Sequence, residues 1–258
     1  KHIRIIPEME SLSHSYWLLL AHPEFAERPE DPYPDTYCPS SPGIYDIYFD
    51  CLQEVIDLFK PDAVHIGHDE YYHIGLCGEC RGKSGQELLA GDITKIHDWL
   101  AQRSIKTIMW GDKLFDYIDA NGNPQGGRER TYTNKITGGV ETIVETYKAA
   151  DMIPKDILVM DWYHSINGED TKSQDYFVRK GFQVIFGNFD DIRGQKYGIP
   201  HLEERLERPN VLGVSCSLWH EVSDKGMTVK DALVYYLEAS NIGWYKGYDG
   251  KKHYKYND

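Results

Sequence analysis

Short apolar runs recur along the chain, each stopped by glycine, proline or polar residues. Ile3–Ile6, Ala63–Ile66, Lys106–Met109, Ile157–Met160, Gln183–Phe186 and Val211–Ser215 have the length of buried strands. After the first of them, Ser41-Pro42 opens a helix whose apolar positions Ile44, Tyr48, Leu52, Val55 and Phe59 keep helical spacing. The capping box Ser84-x-x-Glu87 opens a second helix, running through Arg103 with a stripe at Leu89, Ile93, Ile96 and Leu100. Further helices are predicted over Val140–Ala150, Asp175–Lys180 and Leu202–Leu206, and from the Thr228-x-x-Asp231 cap to about Ala239. Residues 22–43, rich in proline and acids, and 119–139, rich in Gly, Asn, Arg and Thr, read as long loops.

Six strand–helix units thus alternate, the pattern of a parallel α/β fold. Acids and tryptophans recur just past the strand ends, where a (β/α)8 TIM-type barrel gathers its active site. A doubly wound sheet would use one or two such crossings and a Gly-rich phosphate loop. No such loop is present. Residues 1–258 read as a single barrel domain with about six of its eight units.

The densest chemistry lies in Val64-His-Ile-Gly-His-Asp-Glu70, where a strand ends at Gly67 and delivers two adjacent acids, Asp69 and Glu70. Alternation along a strand would separate them, but a frayed strand end lets both reach one pocket. Side-by-side carboxylates repel, and a dry pocket raises the pKa of at least one, which makes a general acid at neutral pH. Two solvated loop acids are the plainer reading of such a pair.

The pattern His-x-Gly-x-Asp-Glu after a strand resembles the active-site signature of the family-20 glycoside hydrolases, the β-N-acetylhexosaminidases. The resemblance runs from Ile3 to about Tyr245. It implies a retaining, substrate-assisted mechanism in which the substrate's acetamido oxygen attacks the anomeric carbon. Asp69 would orient the acetamide, and Glu70 would protonate the leaving oxygen. Pro7-Glu8 followed by His14 is similar to the family's third strand and loop, which makes His14 the residue that tunes the Glu. Trp110, Trp162 and Trp219, each just past a strand, match pocket walls, and Glu221 matches the acceptor for distal sugar hydroxyls. By the same resemblance the chain begins at the third barrel strand. It is then expected to be a fragment lacking two strands and the sugar-binding Arg they carry.

Two departures stand out. Where the family has Tyr-x-Asp, this chain reads Phe189-Asp190-Asp191. Asp191 fills the acid's role, while either Tyr163 replaces the lost hydroxyl or that contact is weakened. His68 stands where a small residue is usual and is expected to narrow the pocket.

A net charge of -13 without a basic cluster argues against nucleic acid, and no apolar run reaches membrane-spanning length. The 19 Tyr, 8 Phe and 6 Trp suit a carbohydrate or glycoconjugate partner, whose flat faces stack on rings, though core packing uses them equally. Five cysteines and the lack of any Asn-x-Ser/Thr sequon favour a reducing bacterial interior. Cys77-x-x-Cys80 has no matching second pair, and Cys38, Cys51 and Cys216 are scattered. A packed thiol pair is therefore expected there, with no metal and no cofactor. Two other readings stay open: a sugar-binding pseudoenzyme on the same barrel, and a metal-dependent hydrolase using His65, His68 and Asp69.

Overall fold

The strand Glu8–Ser11 (β1) pairs in parallel with Ala63–Gly67 (β2), whose other edge pairs in parallel with Lys106–Trp110 (β3). The computed structural model describes residues 3–71, 73–134, 138–162, 172–186 and 206–215. Two compact units divide the chain, residues 1–158 and 159–258.

All of β2 is buried, as a parallel strand covered on both faces must be. The register places Glu8 beside His65 and Ser11 beside Gly67, so the carboxyl ends of β1 and β2 come level. A four-residue helix, Tyr16–Leu19 (α1), follows β1, and the crossover to β2 is the helix Pro42–Phe59 (α2). Its start rests on Pro42 at the first turn, since Ser41 makes no side-chain cap bond. It buries Ile44, Tyr45, Tyr48 and Leu52, and Lys60 ends it in the left-handed conformation. The second crossover, Gly85–Ala101 (α3), begins at Ser84 with both bonds of the capping box formed. It buries Leu88, Leu89, Ile93, Ile96 and Leu100, and on the same side Asp92.

Three expectations are corrected. Ile3–Ile6 is not a strand: Ile3, Ile5 and Ile6 are exposed, and pairing with β2 starts where Pro7 accepts the His65 N–H. Proline has no N–H to give but keeps its carbonyl, so it can begin a strand. Residues 119–139 are not all loop. The short strands Asp116–Ile118 (β4) and Pro124–Gly126 (β5) form one antiparallel pair, and Arg130–Thr133 (β6) pairs with Val140–Ile143 (β7). The helix expected at Val140–Ala150 therefore starts as a strand, in keeping with the β-branched Val140, Thr142 and Ile143. Only Tyr147–Asp151 is helical, as a 3-10 turn.

The strand Leu158–Asp161 (β8) leads into the second unit. There the helix Lys172–Arg179 (α4) buries Phe177, and Gln183–Phe186 (β9) pairs in parallel with Val211–Val214 (β10). Ser173 donates to Asp161 across 2.6 Å, tying the start of α4 to the end of β8. Most of Leu202–Leu206 and the helix expected from Thr228 lie outside the described residues. Among the described residues, no helix is long and apolar enough to cross a membrane.

Candidate active site

The tips of β1 and β2 carry an unusual run of left-handed backbone. Leu12 and His14 have positive φ after β1, and Gly67, His68 and Glu70 have it at the end of β2. Such conformations cost non-glycine residues about 1–2 kcal/mol each and persist only where the surroundings impose them. At Gly67 the requirement is twofold. Its φ is +71°, and a Cβ there would stand 1.9 Å from the Glu10 carboxyl. The glycine of the motif is thus where the Glu10 side chain crosses the β2 backbone.

This turning brings His14, Asp69 and Glu70 together. His14 Nε2 lies 3.7 Å from Asp69 Oδ2 and 3.8 Å from Glu70 Oε2. Donation to the nearby Asp69 carboxylate pushes the His14 pKa up to about 9 against opposing burial, so the ring is cationic at neutral pH. Asp69 is buried, whereas the Glu70 side chain is half exposed. The buried Asp69 Oδ1 accepts no hydrogen bond among the described residues. One acid is thus held, with an acceptor atom to spare, and the other stands at the solvent boundary.

His68 turns the opposite way and does not narrow the pocket. Its ring is wholly buried, with Nε2 2.7 Å from Asp92 Oδ2 and Nδ1 3.0 Å from Ser11 Oγ. Tyr37 and Tyr45 also donate to Asp92, at 3.0 and 2.5 Å. The expectation failed because positive φ at His68 aims its side chain toward α3 instead of the site. His65 and His68 therefore diverge and cannot hold one ion with Asp69, contrary to the metal-hydrolase reading.

Three further acids surround the pair, two of which sequence reasoning missed. Glu8 accepts from the Trp110 indole N–H at 3.0 Å and lies 3.0 Å from His65 Nδ1. Burial opposes its ionisation, but the His65 and Trp110 bonds hold its pKa below the usual carboxylate range. Glu10 is driven the other way, up to about 9, by burial and by the Asp69 and Glu8 charges. Asp112, just past β3, accepts the Glu70 N–H at 3.2 Å, and burial raises it to about 6. Glu10 and Asp112 had one signal in the sequence: each sits at or just past the carboxyl end of a strand. A cavity of about 540 Å3 lies beside Glu8, Glu10, Trp17 and Val55 and does not include Asp69 or Glu70.

Trp110 is 3% exposed, with its ring edge-on to His65 at 4.8 Å. It supports the Glu8–His65 pair and presents little surface of its own. Trp162 follows β8 in the second unit and is half-buried. Tyr163, Phe189, Asp191, Trp219 and Glu221 lie outside the described residues.

A family model, "Glycosyl hydrolase family 20, catalytic domain", matches residues 1–239. The chain belongs to glycosyl hydrolase family 20. Its fold is accordingly that of a TIM-type (β/α)8 barrel, in agreement with the strand–helix alternation. Among solved structures, a β-N-acetylhexosaminidase from Bacteroides fragilis is similar with a TM-score of 0.67 at 19% identity, over 95% of this chain and 49% of that one. A Flavobacterium johnsoniae chitobiase gives 0.60 at 17% identity, over 93% and 39%. A Vibrio harveyi exo β-N-acetylglucosaminidase in complex with N-acetylglucosamine gives 0.56 at 16%, over 84% and 35%. The chain spans about half the length of the first and less of the other two. No curated protein matches it.

Proposed function

We propose that this family-20 chain carries the catalytic acids of an exo-acting β-N-acetylhexosaminidase that hydrolyses terminal N-acetylhexosamine by the substrate-assisted route. One observation carries the reading: Asp69 is buried beside a half-exposed Glu70 and keeps an oxygen with no donor among the described residues. A buried carboxylate oxygen in want of a donor suits an acetamide N–H. Turned by Asp69, the acetamide oxygen attacks the anomeric carbon, and the negative Asp69 stabilises the positive oxazolinium ring that forms. Glu70 gives its proton to the departing oxygen and takes one back from the water that opens the ring. Cationic His14, shared between the two, holds the carboxylates at close range and follows their change of charge.

His14, Asp69 and Glu70 also lie close enough to hold a cation. A cation there would first have to displace the proton that Asp69 holds on His14.

The test is hydrolysis of aryl β-glycosides that differ only at C2. The 2-acetamido sugars should be cleaved, and the 2-hydroxy sugar should be cleaved orders of magnitude more slowly. Equal rates would contradict assistance by the acetamide.

A further inference from the structure

Outside the catalytic tip, the fold gathers the thiols that the sequence leaves scattered. Cys38 meets the Cys77-x-x-Cys80 turn, its Sγ 3.2 Å from Cys77 Sγ and 3.4 Å from Cys80 Sγ. The Glu27 carboxyl, 3% exposed, completes the group, and one ligand atom from each of the four residues falls within 4.8 Å of the others. The placement is built by the backbone. Ala26 bridges Tyr37, with Glu27 N–H to Thr36 O at 3.0 Å and Cys38 N–H to Phe25 O at 2.7 Å, so Glu27 and Cys38 come from facing limbs of one loop. Glu27 in turn accepts the N–H groups of Gly75, Leu76 and Cys77, which fixes the start of the C-x-x-C turn against that loop.

We infer that Cys38, Cys77, Cys80 and Glu27 form a structural zinc site. The chemistry selects the ion. Three sulfurs with one hard oxygen suit a borderline-soft, tetrahedral d10 cation better than magnesium or calcium, which want oxygen ligands alone. Sulfurs on a Zn–S radius of about 2.3 Å would stand roughly 3.8 Å apart, a few tenths of an ångström beyond the separations seen. Those separations are far longer than the covalent bond of about 2.05 Å in a disulfide. The Cys80 N–H points at Cys77 Sγ, a bond that favours the thiolate. As bare thiols both are held protonated, Cys80 by its bond to Cys38 and by burial, and Cys77 chiefly by burial. A divalent cation reverses that preference and releases the protons on binding. Of the carboxylate's roughly four lone-pair positions, three are taken by backbone N–H groups, leaving one for the metal.

The site's role follows from its position. Cys77 and Cys80 lie on the segment that leaves the acid pair, and Cys38 on the segment that leaves His14. Zinc there clamps together the two loops that carry the candidate catalytic residues, without touching those residues. The inference does not depend on the proposed hydrolase activity.

The experiment is elemental analysis of the protein purified without chelator, followed by cobalt substitution. We expect one zinc per chain, released by a mercurial reagent. The cobalt form should show intense visible bands of tetrahedral geometry and sulfur-to-metal charge transfer. Cys51→Ser should keep the metal, Cys77→Ser should lose it, and Glu27→Gln should shift the cobalt bands. Should Cys77→Ser fail to fold, the metal content and cobalt spectrum of the unaltered protein still decide. Metal-free protein whose three thiols all react with a thiol reagent, or a Cys38 disulfide found by non-reducing peptide mass spectrometry, would overturn the inference.

Discussion

His68 Nε2 lies 2.7 Å from Asp92 Oδ2, and neither side chain has any exposed surface. The contact joins the strand tip that carries the candidate catalytic acids to the middle of α3, and Tyr37 and Tyr45 complete the shell around Asp92. It holds the left-handed backbone at His68 from which Asp69 and Glu70 project.

Removing one partner of such a buried pair leaves the other uncompensated. His68→Ala should cost about 3–5 kcal/mol in denaturant unfolding. The double variant with Asp92→Ala should cost clearly less than the sum of the two singles, which is the mark of direct coupling. Additive losses would mean that the pair does not act as a unit.

Glu70→Gln should lower hydrolysis of substrates with poor leaving groups by about 10²–10⁴-fold. The loss should shrink as the leaving phenol becomes more acidic, because such a group departs without a proton. A loss independent of the leaving group would assign Glu70 some other role.

The raised pKa of His14 sets a pH window. Its folded value of about 9 exceeds its ordinary 6.5, so its contribution to stability is full below pH 6.5 and is lost as pH rises through 9. The His14 ring proton followed by NMR should titrate near 9 in the unaltered protein, and well below that in Asp69→Asn, which removes the largest cause. An unshifted midpoint in Asp69→Asn would show that the two residues are not paired in solution.

Glu10 acts with the same sign for the opposite chemical reason. Its native carboxyl keeps a proton up to about pH 9, whereas an unfolded one loses it near 4.5. The native state therefore binds more protons across that window, and stability falls as pH rises through it. Glu10→Gln should flatten this slope in thermal melts taken from pH 5 to 9. An unchanged slope would place the titration elsewhere.

The sequence carried the parallel frame well, because β2, β3, β8, β9 and β10 are short apolar runs between long periodic or punctuated stretches, and the first three are largely buried. It misplaced β1, since apolar Ile3–Ile6 outscores Glu8–Ser11, whose acids are present for the site and not for pairing. The β4–β5 and β6–β7 pairs were hidden by glycine- and asparagine-rich composition, which marks turns without showing that their flanks pair. At the site, Asp69 and Glu70 stood out as adjacent acids past a strand end, whereas His14, which lies within 3.8 Å of both, was indicated only by the resemblance to the family. His68 was misjudged because its direction depends on a backbone sign that spacing does not encode. Cys38 was judged scattered because it is brought to Cys77 and Cys80 by a loop bridge nearly forty residues away in sequence.

The central claim is that Asp69 and Glu70 act on an acetamido sugar through its own acetamide. Calorimetric binding of a GlcNAc-derived thiazoline, a stable mimic of the oxazolinium ring, tests it most directly. The account predicts tight binding that Asp69→Asn weakens by a hundredfold or more, on the order expected for losing a contact to a transition-state-like ligand. A folded protein that does not bind the thiazoline, or that binds it equally well after Asp69→Asn, would contradict the account.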